Sequence, residues 1–531
     1  MSRLRQAATA ALVVTGLALS GCSSAGTGPS AAGKGSVGAS GTSSSPTSGD
    51  AATAPVLQPL AASIPADLQR YYAQKLSWTP CDSGFQCATM KVPLDYANPS
   101  GGDITLGLAR SPAAGHGYKR LGSLLINPGG PGGSAVQYAE YAAETYPVPV
   151  RDSYDFVGLD PRGVGRSTPV TCLSNQQMDA YTAVDSTPTT PAEVDKLVAA
   201  DKAFAQGCER LSGKLLDHVS TVDAARDMDV ARALLGDAKL NYLGKSYGTF
   251  LGATYAGLFP SRVGHMVLDG AMNPSLTSLE LNSQQAGGFE TAFNAFARDC
   301  VSRSGCPLGS TVAQADSNLD TLFASLDAKP LPTGQSRTLD ESLGMTGVIA
   351  AMYDQQQWPQ LRTALTQAES GDGSGLLALS DQYYERDATG HYSNLMYANA
   401  AVDCLDLPGA ASDPQQVQQQ LPGYLQSSAQ FGASLAWSGL SCAYWPVKAT
   451  GEPHTIPAKG AGPILVVGTT RDPATPYAWA QALAAQLDSG TLLTYNGDGH
   501  TAYSRGSQCI DSDVNTYLLT DSPPAAGTVC Q

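Results

Sequence analysis

The segment Gly244-Lys245-Ser246-Tyr247-Gly248 restricts what this chain can fold into more than any other feature, and no second G-x-S-x-G occurs in its 531 residues. Residues 240–244 are a compact apolar run, the pattern of a short buried strand, and residues 247–259 have the alanine- and aromatic-rich texture of a helix. A serine on a sharp strand-to-helix turn is a nucleophile elbow, which lifts the hydroxyl clear of the sheet. The glycines on either side are required where neighbouring backbone leaves no room for a Cβ.

The rest of the pattern surrounds that turn with an α/β fold. Residues 121–127 are an apolar run closed by Pro128-Gly129-Gly130-Pro131-Gly132-Gly133. Residues 154–159 read as a strand ending in Asp160-Pro161-Arg162-Gly163, and residues 222–235 have aliphatic residues at helical spacing. Residues 263–268 read as a further strand. Between about 271 and 455 strand-like runs vanish, Gln and Ala rise, and helical segments such as 361–368 appear. Strands at 463–468 and 491–495, with a helix at 476–487 between them, then resume the first pattern. This alternation indicates a mainly parallel sheet with flanking helices and a mostly helical cap insertion. The expected division is a signal at 1–22, a tether at 23–60, core at 61–275, cap at 276–455 and core again at 456–531.

The N-terminus carries Arg3 and Arg5, an apolar stretch over 7–19, and then Leu19-Ser20-Gly21-Cys22. This is the layout of a secretory signal, too short for a permanent membrane span. Its end resembles a bacterial lipobox, which would make Cys22 a lipidated first residue. The Ser/Gly/Thr/Ala tract that follows cannot bury enough apolar surface to fold. Ten further cysteines fall in near-neighbour pairs: Cys81 with Cys87, Cys172 with Cys208, Cys300 with Cys306, Cys404 with Cys442, and Cys509 with Cys530. In an exported chain they are expected to be disulfides in that pairing. No histidine stands at ligand spacing from them and no H-E-x-x-H occurs, so neither metal nor other cofactor is expected. A net charge of −15, with only 31 Lys and Arg, argues against nucleic acid as a partner. Membrane association is expected only through a lipid at Cys22.

A nucleophilic serine needs a base, and the base needs an acid to fix its tautomer. In this architecture the chain order is Ser, acid, His. Of the 6 histidines, His116 and His218 precede Ser246; His265 falls in a strand, His391 in the cap, and His454 before the returning strands. His500, in Gly497-Asp498-Gly499-His500 after the last strand, stands where ligands collect in parallel sheets. Asp472, just beyond the preceding strand, is the expected acid, with Asp498 as its competitor. Thr475-Pro476 resembles an N-cap and first helical residue that would stiffen the Asp472 loop. Backbone N–H groups of Tyr247 and Gly130 are the expected oxyanion donors.

The turn at 127–134 resembles that of proline-iminopeptidase-like serine exopeptidases. The segments at 160–167, 244–249, 470–476 and 497–501 resemble the secreted tripeptidyl aminopeptidases of actinobacteria. The likeness runs from about residue 76 to the C-terminus. It implies an α/β-hydrolase that removes short peptides from free N-termini of peptides or proteins, with Ser246, Asp472 and His500 as triad. It also implies that acidic groups of the cap meet the free amine, for which Glu280, Glu290, Asp403 and Asp406 are the candidates. Fold and triad do not choose the acyl substrate. An esterase or amidase is therefore the second expectation, and a non-catalytic envelope lipoprotein the third.

Overall fold

The computed structural model describes residues 55–81 and 84–531; the signal, Cys22 and the tether up to residue 54 lie outside the described residues. Ten strands form one sheet: β1 (Thr79–Pro80), β2 (Gln86–Pro93), β3 (Asp103–Ser111), β4 (Gly122–Asn127), β5 (Tyr154–Leu159), β6 (Leu240–Lys245), β7 (Val263–Asp269), β8 (Ile464–Arg471), β9 (Gly490–Asp498) and β10 (Val529–Cys530). Their order is β1-β2-β3-β5-β4-β6-β7-β8-β9-β10. The pairs from β1 to β5 along this order are antiparallel, and all pairs from β5 to β10 are parallel.

Every residue of β4, β5 and β6 is buried, because helices cover both faces of the parallel part. Successive side chains point to opposite faces, and the core divides accordingly. Leu125, Val157, Tyr242, Leu268 and Val466 belong to one apolar cluster, and Leu124, Phe156, Leu243, Val267 and Leu465 to another. Between β7 and β8 the chain runs through helices from Ser278–Val301 to Gly432–Ser438. These have an apolar core of their own around Phe293, Phe296, Leu319 and Leu361. All five cysteine pairs are disulfide-bonded as the sequence suggests.

Residues 55–60, counted with the tether on composition, are held to the core by backbone. Leu57 N donates to Thr455 O at 3.2 Å and Leu60 N to Leu258 O at 2.9 Å. The expected His265 contact is structural: its Nδ1 pairs with the Tyr154 hydroxyl at 2.6 Å.

Arg162, from the Asp160-Pro161-Arg162-Gly163 segment, is fully buried and forks onto the equally buried Asp227 at 2.7 and 2.8 Å. Its remaining N–H groups donate to the carbonyls of Pro93, Leu94 and His218. One guanidinium thereby ties the end of β2 to the approach to helix Thr221–Leu235. Breaking a buried pair from one side leaves an uncompensated charge. Arg162→Met is expected to lower stability by about 3–5 kcal/mol, read from urea unfolding.

Candidate active site

β6 ends at Lys245 and the next helix is Tyr247–Leu258, so Ser246 alone stands between them and carries the whole turn at φ 56°, ψ −127°. Non-glycine residues avoid this region, and it persists only where the surroundings over-determine it. A Cβ on Gly244 would come within 2.2 Å of Gly248 O, and one on Gly248 within 2.8 Å of Asn127 Oδ1. The turn is fastened by Ser246 N, which donates to Asp269 O at 2.9 Å. The result is a half-buried serine at the carboxyl end of a central strand.

Asp472 follows β8 directly and is 2% exposed. Its Oδ1 accepts from Ala474 N at 3.0 Å and Thr475 N at 2.8 Å, and its Oδ2 from Thr501 N at 3.2 Å. Both oxygens accept from His500 Nδ1, at 2.8 and 3.0 Å. A proton on Nδ1, assigned from this network, leaves the lone pair on Nε2. Nε2 is buried and has no partner among the described residues. The ring lies beside Gly270, whose Cβ would stand 3.2 Å from Cε1, and Gly270 follows the residue that fastens Ser246.

Thr475 does not cap the next helix. Pro476 holds that position without a side-chain bond, and helix Tyr477–Gln486 follows. Thr475 Oγ1 instead approaches His500 Nδ1 at 3.3 Å, and the loop is stiffened by the Asp472 carboxylate itself. The competing acid, Asp498, is taken up by Arg471 in a two-pronged pair at 2.6 and 2.9 Å.

The glycine-rich turn after β4 lies against the elbow. A Cβ on Gly129 would fall 2.5 Å from Lys245 O and 3.1 Å from Tyr247 N. Neither Gly130 N nor Tyr247 N donates to a protein acceptor among the described residues, which leaves both free for an oxyanion. Asp160 anchors this region by accepting from Ser134 Oγ, Val136 N and Arg166 N at 2.8, 3.0 and 2.8 Å.

The cap meets the turn through helix Leu395–Asp406. Leu395 O would stand 2.4 Å from a Cβ on Gly132, and Asn399 Nδ2 donates to Pro131 O at 3.3 Å. Leu395, Asn399, Asp403 and Asp406 share one helical stripe. The four cap acids are not equivalent. Glu280 closes a capping box with Thr277. Glu290 accepts from Asn294 Nδ2 and Ser428 Oγ. Asp406 accepts from Thr221 N at 2.8 Å, and the Thr221 hydroxyl also meets the Tyr247 hydroxyl.

The Asp403 carboxylate, alone of the four, has no hydrogen bond or ion pair among the described residues. Its charge acts on Tyr247 and on Tyr383, whose ring packs on Tyr353, which in turn edges His500 at 5.4 Å. Asp403 reaches solvent, but the protein around it and the charge of Asp406 raise its pKa to about 8. Burial likewise raises Asp406 to about 7 against the bonds from Thr221. Sequence reasoning missed Tyr353, Tyr383 and Thr221, which carry no motif. Among the described residues Cys509, Asp513 and Cys530 form the only trio close enough to hold a metal, and both sulfurs are in a disulfide.

This sheet order, with serine, acid and histidine beyond the carboxyl ends of the parallel strands β6, β8 and β9, defines a serine hydrolase of the α/β-hydrolase class. A family model described as TAP-like protein matches residues 427–530. The serine protease Hip1 of Mycobacterium tuberculosis is 38% identical over 479 residues, covering 86% of this chain and 91% of its own. Carboxylesterase B of the same organism is 38% identical over 456 residues, covering 84% and 86%. The tripeptidyl aminopeptidase of Streptomyces lividans is 33% identical over 479 residues, covering 86% of each chain. The chain belongs to this tripeptidyl-aminopeptidase-like family of serine hydrolases.

Proposed function

We propose that the protein is an exported serine exopeptidase that releases di- or tripeptides from free N-termini. His500 Nε2 takes the Ser246 proton as Oγ attacks the scissile carbonyl. Gly130 and Tyr247 N–H groups hold the oxyanion, and Asp472 keeps the Nδ1–H tautomer and stabilises the imidazolium. The C–N bond then breaks, His500 gives its proton to the leaving amine, and an acyl-enzyme remains on Ser246. Water attacks that ester with the same base and releases the peptide acid.

The observation that carries the exopeptidase reading is Asp403, an unpaired carboxylate on the cap helix that packs on the glycine turn. It is suited to the ammonium of a substrate whose carbonyl lies at Gly130. From Leu395 to Asp403 the helix rises about 12 Å. Three extended residues span about 10 Å and two about 7 Å, so that reach suits three residues better than two. The tripeptidyl aminopeptidase and Hip1 names support the same reading. Five disulfides favour an oxidising compartment, consistent with export and a lipid anchor at Cys22.

The relative named carboxylesterase keeps an esterase or amidase as a second reading. A chromogenic tripeptide amide offered with its N-terminus free and then acetylated separates the two. The exopeptidase cleaves the free form at least about 100-fold better, the worth of a charge-assisted anchor. Equal rates would leave the amidase or esterase.

A further inference from the structure

The loop that carries His500 is held in a conformation its sequence does not favour. Gly499 has φ 101°, but Thr501 at 67° and Ser504 at 60° are non-glycine residues in the left-handed region. Such backbone needs outside support. Here five consecutive N–H groups have acceptors beyond the loop. His500 N donates to Tyr353 O at 2.8 Å, and Thr501 N to Asp472 Oδ2 at 3.2 Å. Ala502 N donates to Asp269 Oδ1 at 2.9 Å, Tyr503 N to Asp269 Oδ2 at 3.0 Å, and Ser504 N to Asp511 Oδ1 at 2.7 Å.

Asp269 is the centre of this cradle, and it is also the residue whose carbonyl accepts from Ser246 N at 2.9 Å. Its counter-charge is Lys245, the residue before Ser246. Lys245 Nζ stands 3.6 Å from Asp269 Oδ2 and donates to Tyr503 O at 2.7 Å. The two side chains are 0% and 9% exposed, so this is a buried pair and neither partner is tolerable alone. Asp269 is not a second triad acid: its oxygens accept from residues 502 and 503, while His500 Nδ1 turns to Asp472.

We propose that Lys245 and Asp269 are positioning residues that set the separation of Ser246 and His500 by gripping the elbow and the histidine loop at once. The proposal rests on reading those two as nucleophile and base. A carboxylate accepts both amides with charge-assisted bonds, whereas an asparagine amide opposes one of them with its own N–H. The loop then relaxes, and the buried, unpartnered His500 Nε2 shifts relative to Ser246. A misplacement of about 1 Å costs about 100-fold in rate.

The test is Asp269→Asn, assayed on the free tripeptide amide. The expected result is a kcat about 100-fold lower with KM within about threefold. Adding Ser504→Gly should recover at least about tenfold, because glycine takes that φ without strain. Wild-type kcat in Asp269→Asn overturns the proposal, as does a loss that Ser504→Gly leaves unchanged. Should Asp269→Asn and Lys245→Met both fail to fold, hydrogen exchange in the wild-type enzyme decides. Amides of Ala502 and Tyr503 that exchange only on global unfolding uphold the cradle; exchange at the rate of exposed loops overturns it. Fluorophosphonate labelling of the wild-type protein, mapped by mass, separates this from failure of the underlying reading. Label absent from Ser246 would remove the nucleophile itself.

Discussion

Ser246→Ala is expected to lower kcat on a peptide amide by about 10⁴- to 10⁶-fold while leaving KM and the fold nearly unchanged. The mutation removes the attacking atom but none of the contacts that hold the elbow, since the turn is fastened through the Ser246 backbone N–H. His500→Ala should cost a similar factor. Asp472→Asn should cost about 10⁴-fold, because an amide at that position favours the wrong imidazole tautomer. The losses should not multiply: the triple variant should be no slower than Ser246→Ala within about tenfold, since the three act as one unit. Steady-state rates on purified variants check this. A Ser246→Ala enzyme retaining more than about one hundredth of wild-type kcat would contradict the assignment of the nucleophile.

Asp403→Asn is expected to lower kcat/KM on the free-amine substrate by about 10²- to 10³-fold and to leave the acetylated substrate untouched. The same residue sets a pH dependence. In the proposed reading the bound pair is carboxylate and ammonium, so binding needs Asp403 deprotonated and the substrate amine protonated. Asp403, raised to about 8 in the free enzyme, supplies the rising limb of 1/KM. The substrate amine, near 8, supplies the falling limb at about the same pH. A plot of 1/KM against pH should therefore peak near 8 for the free amine and lose that peak in Asp403→Asn.

Stability should move the opposite way to activity. A carboxyl whose folded pKa lies above its unfolded value binds more protons in the folded state. Its favourable contribution is complete below the unfolded value and is lost as pH rises through the folded one. Asp403→Asn should thus match the wild-type Tm below about pH 4 and exceed it increasingly up to about pH 8. This is the trade expected when a site keeps an unpaired charge for its ligand.

The parts legible in sequence were those with a local pattern. β4, β5 and β6 are fully buried strands because both sheet faces are covered, and with the less evenly buried β7, β8 and β9 each was recognisable to within a few residues. The hairpin of β2 and β3 escaped notice. Gln86–Pro93 alternates buried with exposed residues over much of its length, a weaker signal amid Thr, Lys and Gln. β1 and β10, two residues each, have no pattern to read.

Chain order and strand ends led to expecting His500 beside Asp472, and the structure joins these two side chains by hydrogen bonds. The proposal of Asp403 from among the four cap acids could not be made from sequence, because it rests on which carboxylates the cap uses for itself. A clue was present in the spacing of Leu395, Asn399, Asp403 and Asp406, which fixes one helical stripe, but the glycine turn it faces lies far away in sequence. Asp269 and Lys245 were hidden for the same reason. Both stand at strand ends beside the elbow, and their partners at 502 and 503 arrive only when the cap has been spanned and the sheet closed.

The most direct measurement is mass spectrometry of an unlabelled decapeptide with a free N-terminus, sampled through its digestion. The expected spectra show two or three residues lost at a time from the N-terminal end, the C-terminal fragments shortening in sequence and internal bonds intact until each becomes N-terminal. Ser246→Ala should leave the peptide whole. Cuts at internal bonds from the first time point, or equal digestion of the acetylated peptide, would contradict an exopeptidase anchored through the substrate amine.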